Sequence, residues 1–479
     1  MQGVHTADEV RAAEAALFEH VAEPAVMLRA ATGLAVQCAT MLPRHYGSRV
    51  LLLVGSGNNG GDALYAGAWL ARRGVRVSAL LASPDRAHAG GLADFRRAGG
   101  RVLGSAVGAF DDVDLVVDGL LGIRGSGGIR APGDAWARAA AASGASVVAV
   151  DLPSGVDADT GLVHEASIRA DVTVTFGTLK PGLVSGGGAA AAGEVRLVDI
   201  GLGPHLPGST LSVLDAADVA ALLPDPGADG YKYTRGVVGV VAGSAQYAGA
   251  GALATGAAVH GGAGMVRYLG GAPQGIVERY PEVVVHPDTA PHEVRVQSFV
   301  VGPGLGTDDA ALRSLRDVLA ADVPIVVDAD AITLVSQHDD LRETLTARTR
   351  PTVLTPHDRE FARLFDLGDD RVGATRRAAA AVRATVLLKG NATVVADADG
   401  TAYLNRTGTP WLGTAGSGDV LSGLIGSLLA AGLAPGHAAA AGAFLHGVAG
   451  QLAAADGPPA AEDVLRALRP AWRSVVTTA

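Results

Sequence analysis

Residues 49–64, RVLLLVGSGNNGGDAL, decide how the first half of the chain folds. A near-continuous apolar run, VLLLV, passes through a glycine-rich turn into a stretch able to start a helix. That is how a parallel strand buried on both faces hands over to the helix that covers it. Gly55, Gly57 and Gly60 also spell G-x-G-x-x-G, the pattern of a dinucleotide-binding turn. The next run, VRVSALLASPD (75–85), argues against that use. It ends without an acid for a ribose 2′-hydroxyl, and Asp85 follows only after a Ser-Pro. What the turn does hold is two amides and a carboxylate: Asn58, Asn59 and Asp62.

Working outward, DLVVDGLLG (114–122), SVVAVDLPSG (146–155) and ADVTVTFG (170–177) repeat the alternation of apolar strand and Ala-rich helix. This predicts a doubly wound α/β domain with a parallel sheet. Asp118 and Asp151 stand at predicted strand C-termini, with Ser154 just beyond, and strand C-termini meet at the ligand crevice of such a sheet. Their oxygen-only donors suit a hard cation or polar recognition rather than zinc.

The rhythm breaks at GLGPHLPGST (201–210) and LLPDPGADGYKY (222–233), which are rich in Pro and Gly and predict a boundary near residue 210. Two domains follow, 1–210 and 211–479. The second resumes the alternation with VVGVVAGS (237–244), SFVVGPGLG (298–306), VPIVVDAD (323–330), PTVLTP (351–356) and TVLLKGN (385–391). It becomes mostly helical from Gly418 to about Leu468. There TAGSGDVLSG (414–423) sets a glycine-rich turn before a helix, a seat for an anion, with the carboxylate Asp419 in the same turn.

Composition narrows the function. The net charge of −10 disfavours a general nucleic-acid or anionic-membrane binder. The apolar stretches are too short to span a bilayer. Thr6-Ala7-Asp8-Glu9 reads as a helix capping box rather than part of a secretion signal. The single cysteine, Cys38, suits a reducing cytoplasm and reads as a small buried thiol. Only three of the 38 basic residues are lysine, Lys180, Lys232 and Lys389, and each lies beside a glycine or aromatic motif. A chain that otherwise relies on arginine keeps a compact ammonium where one is needed.

In this order, GNNGGD, VVDGLLGIRGSG, VDLPSG and FGTLKPGLV resemble the N-terminal domain of NAD(P)H-hydrate epimerases, over almost all of residues 1–210. The resemblance implies a Rossmann-like three-layer domain. It places Asn58, Asn59, Gly60, Gly61, Asp62, Gly122, Ile123, Arg124, Gly125, Ser126, Gly127, Gly128 and Asp151 against the hydrated nicotinamide nucleotide. It also implies a potassium ion held by Asn59, Asp118 and Ser154. Asp151 with Lys180 makes a chemically adequate acid–base pair for epimerisation at C6.

Similarly KYTRG, VVAGS, GAGMVR, VGPGLG, LTPH, LLKGN and TAGSGDVLSG resemble the ADP- or ATP-dependent NAD(P)H-hydrate dehydratases, a ribokinase-like α/β fold, over roughly residues 213–470. The resemblance implies Ala250, Gly306, His357 and Asp419 around the hydrate, and Lys389, Gly390, Asn391, Ala392, Thr393 and Gly418 around ADP with Mg²⁺. LTPHDREF stands where LTPHPGE is more usual, with His357 and Glu360 kept. In such a turn backbone N–H groups face phosphate while Asp419 takes the proton of the attacking hydroxyl. Self-association of the second domain is implied by the resemblance alone. Two other readings stay open at this point: a small-molecule kinase fused to a nucleotide-sensing domain, and a first domain that only binds and regulates.

Overall fold

The computed structural model describes residues 1–123, 125, 127–227 and 230–478. The chain forms two compact units, Gly3–Ser209 and Thr210–Ala479, the second also including Met1–Gln2.

The first unit is a sheet of seven strands paired in parallel throughout. Arg49–Val54 lies inside the sheet. Arg76–Leu81 and then Arg101–Val102 extend it to one side. Leu115–Gly119, Ser146–Val150, Val172–Phe176 and Glu194–Val198 extend it to the other. The strand order therefore reverses between Arg49–Val54 and Leu115–Gly119, and a crevice opens above their C-terminal ends. Apolar side chains cover both faces: Leu34, Leu52 and Phe95 belong to one cluster, Leu51, Trp136 and Ile168 to the other. Cys38 is buried, and burial pushes its thiol up to about 12. Ahead of the sheet Thr6 caps the helix Ala7–Phe18. Its hydroxyl accepts from the Glu9 N–H at 3.3 Å, and the Glu9 carboxylate accepts from the Thr6 N–H at 2.8 Å.

Glycine at position 55 is required by close approach. A Cβ there would stand 1.9 Å from the Leu120 carbonyl oxygen, because the two strand ends at the crevice are nearly in contact. The helix Asn58–Ala71 starts just after, so Asn58 and Asn59 open its first turn and Asp62 lies one turn on, none of them in a loop.

The second unit is a mixed sheet. From one edge its strands run Gln2–Gly3, Leu211–Val213, Ala402–Asn405, Thr393–Ala396, Thr385–Leu388, Thr352–Leu354, Ile325–Val327, Ser298–Val301, Val237–Val241, Met265–Tyr268 and Val284–Val285. Antiparallel pairing is confined to the hairpin arm Thr385–Leu388, Thr393–Ala396 and Ala402–Asn405. Sequence alternation could not show that arm, since its strands are short and wholly buried. The helices Ala248–His260, Ser417–Ala430 and Pro435–Ala454 bury their Ala-, Gly- and Leu-rich sides in the core. Asp328, His357 and Lys389 follow the C-terminal ends of three neighbouring parallel strands, Ile325–Val327, Thr352–Leu354 and Thr385–Leu388.

Candidate active sites

In the first unit a cavity of about 390 Å³ opens at the crevice, lined among others by Asn58, Asn59, Asp62, Gly122, Ile123, Asp151 and Lys180. Asp151 has a φ of 65°, a left-handed conformation that an aspartate adopts only when its surroundings hold it there. Its Oδ1 accepts from Lys180 Nζ at 2.6 Å, Thr175 Oγ1 at 3.0 Å and the Phe176 N–H at 3.2 Å. The ammonium also reaches Thr175 Oγ1 at 2.9 Å and the Phe176 carbonyl at 3.0 Å, and Lys180 is only 1% exposed. The expected acid–base partners are thus in direct contact.

Behind them Asp118 is fully buried. It accepts from the Ser154 N–H at 2.8 Å, the Ser154 hydroxyl at 2.7 Å and the Leu120 N–H at 3.2 Å. Burial pushes its carboxyl up to about 6 even though these donors pull the other way. Asn59 Nδ2 donates to the carbonyls of Leu121 at 3.0 Å and Val150 at 2.6 Å. Its amide oxygen is turned to Gly122, where a Cβ would stand 2.6 Å from it. Asn59 at its helix start, Asp118 at its strand end and Ser154 just beyond the next strand thus bring oxygens around a buried carboxylate that has hydrogen-bond donors, a set that suits a hard monovalent cation.

Asp62 is 6% exposed and its Oδ1 is buried without a hydrogen-bond partner. Burial, then the charges of Asp151 and Glu14, push its carboxyl well above the usual carboxylate range. Gly60, Gly61, Gly125, Gly127 and Gly128 do not line the cavity. Arg124 and Ser126 lie outside the described residues.

The second unit holds a cavity of about 790 Å³ that brings together His357, Lys389, Gly390, Asn391, Thr393, Gly418 and Asp419. Gly416, at φ 90°, lets the chain turn sharply into the helix Ser417–Ala430. No side chain caps that helix; the Ser417 N–H turns back to the Thr414 carbonyl at 3.3 Å, which leaves the Gly418 N–H available for an anion. A Cβ on Gly418 would lie 3.2 Å from Lys389 Nζ, so the ammonium and the helix N-terminus converge on one spot. Lys389 donates to Asp328 Oδ1 at 2.7 Å, and Ser422 Oγ donates to Asp328 Oδ2 at 2.6 Å. Asp328 is thereby bonded at both oxygens, while Asp419 is pushed up to about 7. Burial is the main cause, Asp328 adds to it, and Lys389 opposes it. Lys389 is itself raised: burial acts downward, but the charges of Asp328, Glu360 and Asp419 outweigh it.

His357 caps the short helix Asp358–Phe361, with its Nδ1 accepting from the N–H groups of Arg359 and Glu360. Its half-exposed ring faces the cavity, so the DREF variant of the motif still presents it there. Ala392 is buried and, with Ala250 and Gly306, lies off the cavity wall. Gly306 approaches indirectly, its N–H donating at 2.8 Å to Asp330, whose charge Asp419 senses. Sequence reasoning missed Asp328, although it follows a strand end as Asp118 and Asp151 do. It also missed His446, a cavity-wall histidine whose imidazole burial pushes down to about 4.

Residues 23–182 match the family described as YjeF-related protein N-terminus, and residues 238–468 match NAD(P)H-hydrate dehydratase. A bifunctional NAD(P)H-hydrate repair enzyme of Mycobacterium leprae is 50% identical over 465 residues, covering 96% of each chain. One from Mycobacterium tuberculosis is 49% identical, covering 92% of each. This chain belongs to the bifunctional NAD(P)H-hydrate repair enzymes. Like them, it joins an epimerase-type first domain to a nucleotide-dependent dehydratase domain of ribokinase-like fold. Among solved structures, an ADP/ATP-dependent NAD(P)H-hydrate dehydratase of Bacillus subtilis co-crystallised with ATP and Mg²⁺ matches with a TM-score of 0.50 at 29% identity. It covers 55% of this chain and 98% of its own. A ribokinase-like protein of Enterococcus faecalis matches with a TM-score of 0.50 at 27% identity, covering 56% of this chain and 98% of its own.

Proposed function

We propose that the chain repairs hydrated NADH and NADPH in two steps. The first domain interconverts the R and S epimers at C6. The second uses ADP to convert the S epimer to NAD(P)H, with AMP and phosphate as co-products. The observation that carries this reading is the pairing, in one cavity, of an uncapped helix N-terminus beside Lys389 with a carboxylate, Asp419, held near neutral pH.

In the dehydratase site the Gly418 N–H and Lys389 hold the transferring phosphoryl group, with Lys389, Gly390, Asn391, Ala392, Thr393 and Gly418 forming the ADP side. Asp419 takes the proton of the C6 hydroxyl as it attacks. Once phosphorylated, that oxygen leaves readily, and the ring-nitrogen lone pair expels phosphate. His357, Ala250 and Gly306 belong to the hydrate side. Mg²⁺ neutralises phosphate charge when bound. Among the described residues no three His, Cys, Asp or Glu side chains gather to hold a metal, so the nucleotide's own oxygens would be its main ligands.

In the epimerase site Asn58, Asn59, Asp62, Gly122, Ile123 and Asp151 hold the hydrate. Lys180 holds the Asp151 carboxyl in place. Asn59, Asp118 and Ser154 would hold K⁺, which supplies a fixed positive charge beside the Asp118 carboxylate. The second domain self-associates in this reading, and sizing chromatography reads it.

The test is absorbance at 340 nm on mixed NADHX epimers with Mg²⁺ and ADP, then ATP. Full recovery of NADH with ADP, and stalling after the S epimer in Asp151→Asn, is the expected result. No recovery with either nucleotide overturns the reading in favour of a kinase with a stable phosphorylated product.

A further inference from the structure

The epimerase cavity contains two aspartates in opposite surroundings. Asp151 is surrounded by donors: Lys180 Nζ, Thr175 Oγ1 and the Phe176 N–H all point at one of its oxygens. Asp62, one turn into the helix Asn58–Ala71, lines the same cavity with no hydrogen-bond donor to its carboxyl among the described residues. Its Oδ1 is buried, and Asp151 and Glu14 lie close enough for their charges to act on it. An ionised carboxylate in that position would lack both a donor and a counter-charge, and would face two like charges. The arrangement is stable only with a proton on Asp62. Two carboxyls forced apart in this way divide into a fixed anion and a proton carrier.

We propose that Asp62 is the catalytic acid of the epimerase site: it protonates the departing C6 hydroxyl and takes the proton back when water returns from the other face. As the Asp62 proton reaches the C6 oxygen, the C6–O bond breaks and water leaves. The ring-nitrogen lone pair becomes the N1=C6 bond. Water then adds to the opposite face of C6, the π pair returns to nitrogen, and the surplus proton returns to the Asp62 carboxylate. One water leaves and one enters, and nothing is oxidised or reduced. Asp151, fixed by Lys180, faces the transient cationic ring. The inference rests on the proposed epimerase function of this cavity.

The experiment uses the full chain with purified R epimer and no nucleotide, following the S epimer by chromatography in H₂¹⁸O. The parent takes ¹⁸O into the C6 hydroxyl at the rate of epimerisation. Asp62→Asn lowers kcat by about 10²-fold or more with a smaller change in KM, and Asp62→Glu restores part of the rate. The parent's kcat falls as pH rises through the point where Asp62 loses its proton, and Asp62→Asn lacks that limb. The charged and titratable groups around it are Glu14, Glu23, Asp151, Lys180 and His88, whose ring packs against Gly61, and they are left unaltered. Thermal melting, and dehydration of pure S epimer by the second domain, report whether each variant is folded. An Asp62→Asn rate within about threefold of the parent overturns the proposal, as does epimerisation without ¹⁸O uptake. A parent that leaves the R epimer unchanged overturns the epimerase reading itself.

Discussion

The buried pairs Lys180–Asp151 in the first unit and Lys389–Asp328 in the second are nearly the same length, 2.6 and 2.7 Å, yet they serve their sites in opposite ways. In the first, the lysine engages an aspartate on the cavity wall and leaves a neighbour, Asp62, as the carboxyl that keeps a proton. In the second, the lysine and Ser422 satisfy Asp328, and Asp419 stays poised near neutral pH. A chain that otherwise carries arginine spends two of its three lysines on these pairs. An ammonium can approach one carboxylate oxygen and still point at a second group, which a planar guanidinium does less readily. The third, Lys232, lies over the Tyr233 ring at 5.2 Å.

The comparison breaks most sharply at Asp419. Asp419→Asn should lower NADH recovery from the S epimer by about 10²–10⁴-fold, with R to S interconversion intact. Equal loss of both activities, measured separately on pure epimers, would mean that the two sites are not independent.

Removing the two lysines sharpens it. Lys180→Met strands Asp151 in the interior and should cost about 3–5 kcal/mol in denaturant unfolding. Lys389→Met should cost less, because the Lys389 side chain is 20% exposed where that of Lys180 is 1% exposed. A larger loss for Lys389→Met would reverse the ranking of the two pairs.

Asp419 also gives a pH signature. Its carboxyl stands at about 7 in the folded protein against an ordinary value of 3.8. Between those values the folded state keeps a proton that the unfolded chain has released, so this group's contribution to stability is present at low pH and is lost as pH rises to about 7. The base must be unprotonated to act, so dehydratase kcat/KM should rise about tenfold per pH unit below that point and level off above it. Asp419→Asn should lose the limb, and a flat profile in the parent would remove Asp419 as the base.

The smallest effect is steric. Gly418→Ala places a methyl 3.2 Å from Lys389 Nζ and should raise the KM for ADP by about three- to tenfold, leaving the R to S rate alone. Gly122→Ala, whose Cβ would stand 2.6 Å from Asn59 Oδ1, should do the reverse. Its rate should also respond less to added K⁺ than that of the parent.

Much of this molecule was legible in its sequence because the signals are local. Apolar runs ending in glycine predict buried parallel strands, as Arg49–Val54 shows, and TAGSGDVLSG predicts an anion-binding helix start with Asp419 inside it. Strand-end acids gave Asp118 and Asp151, and the scarcity of lysine drew attention to Lys180 and Lys389. The hairpin arm Thr385–Asn405 was not legible, because short buried strands carry no alternation that tells parallel from antiparallel pairing. Nor was it legible that Ala250, in the helix Ala248–His260, and Gly306, in the GPGLG loop, lie off the cavity wall.

The sequence by itself determined the alternation of elements, the glycine turns and the chemical inventory at strand ends, since each depends on residues close together in the chain. Only the tertiary structure decided what those groups do. Lys389 meets Asp328 across 61 positions, and Lys180 meets Asp151 across 29. Whether an aspartate is an anion or an acid depends on the donors and charges that surround it in space. Asp151 and Asp62 share one cavity and differ in little else.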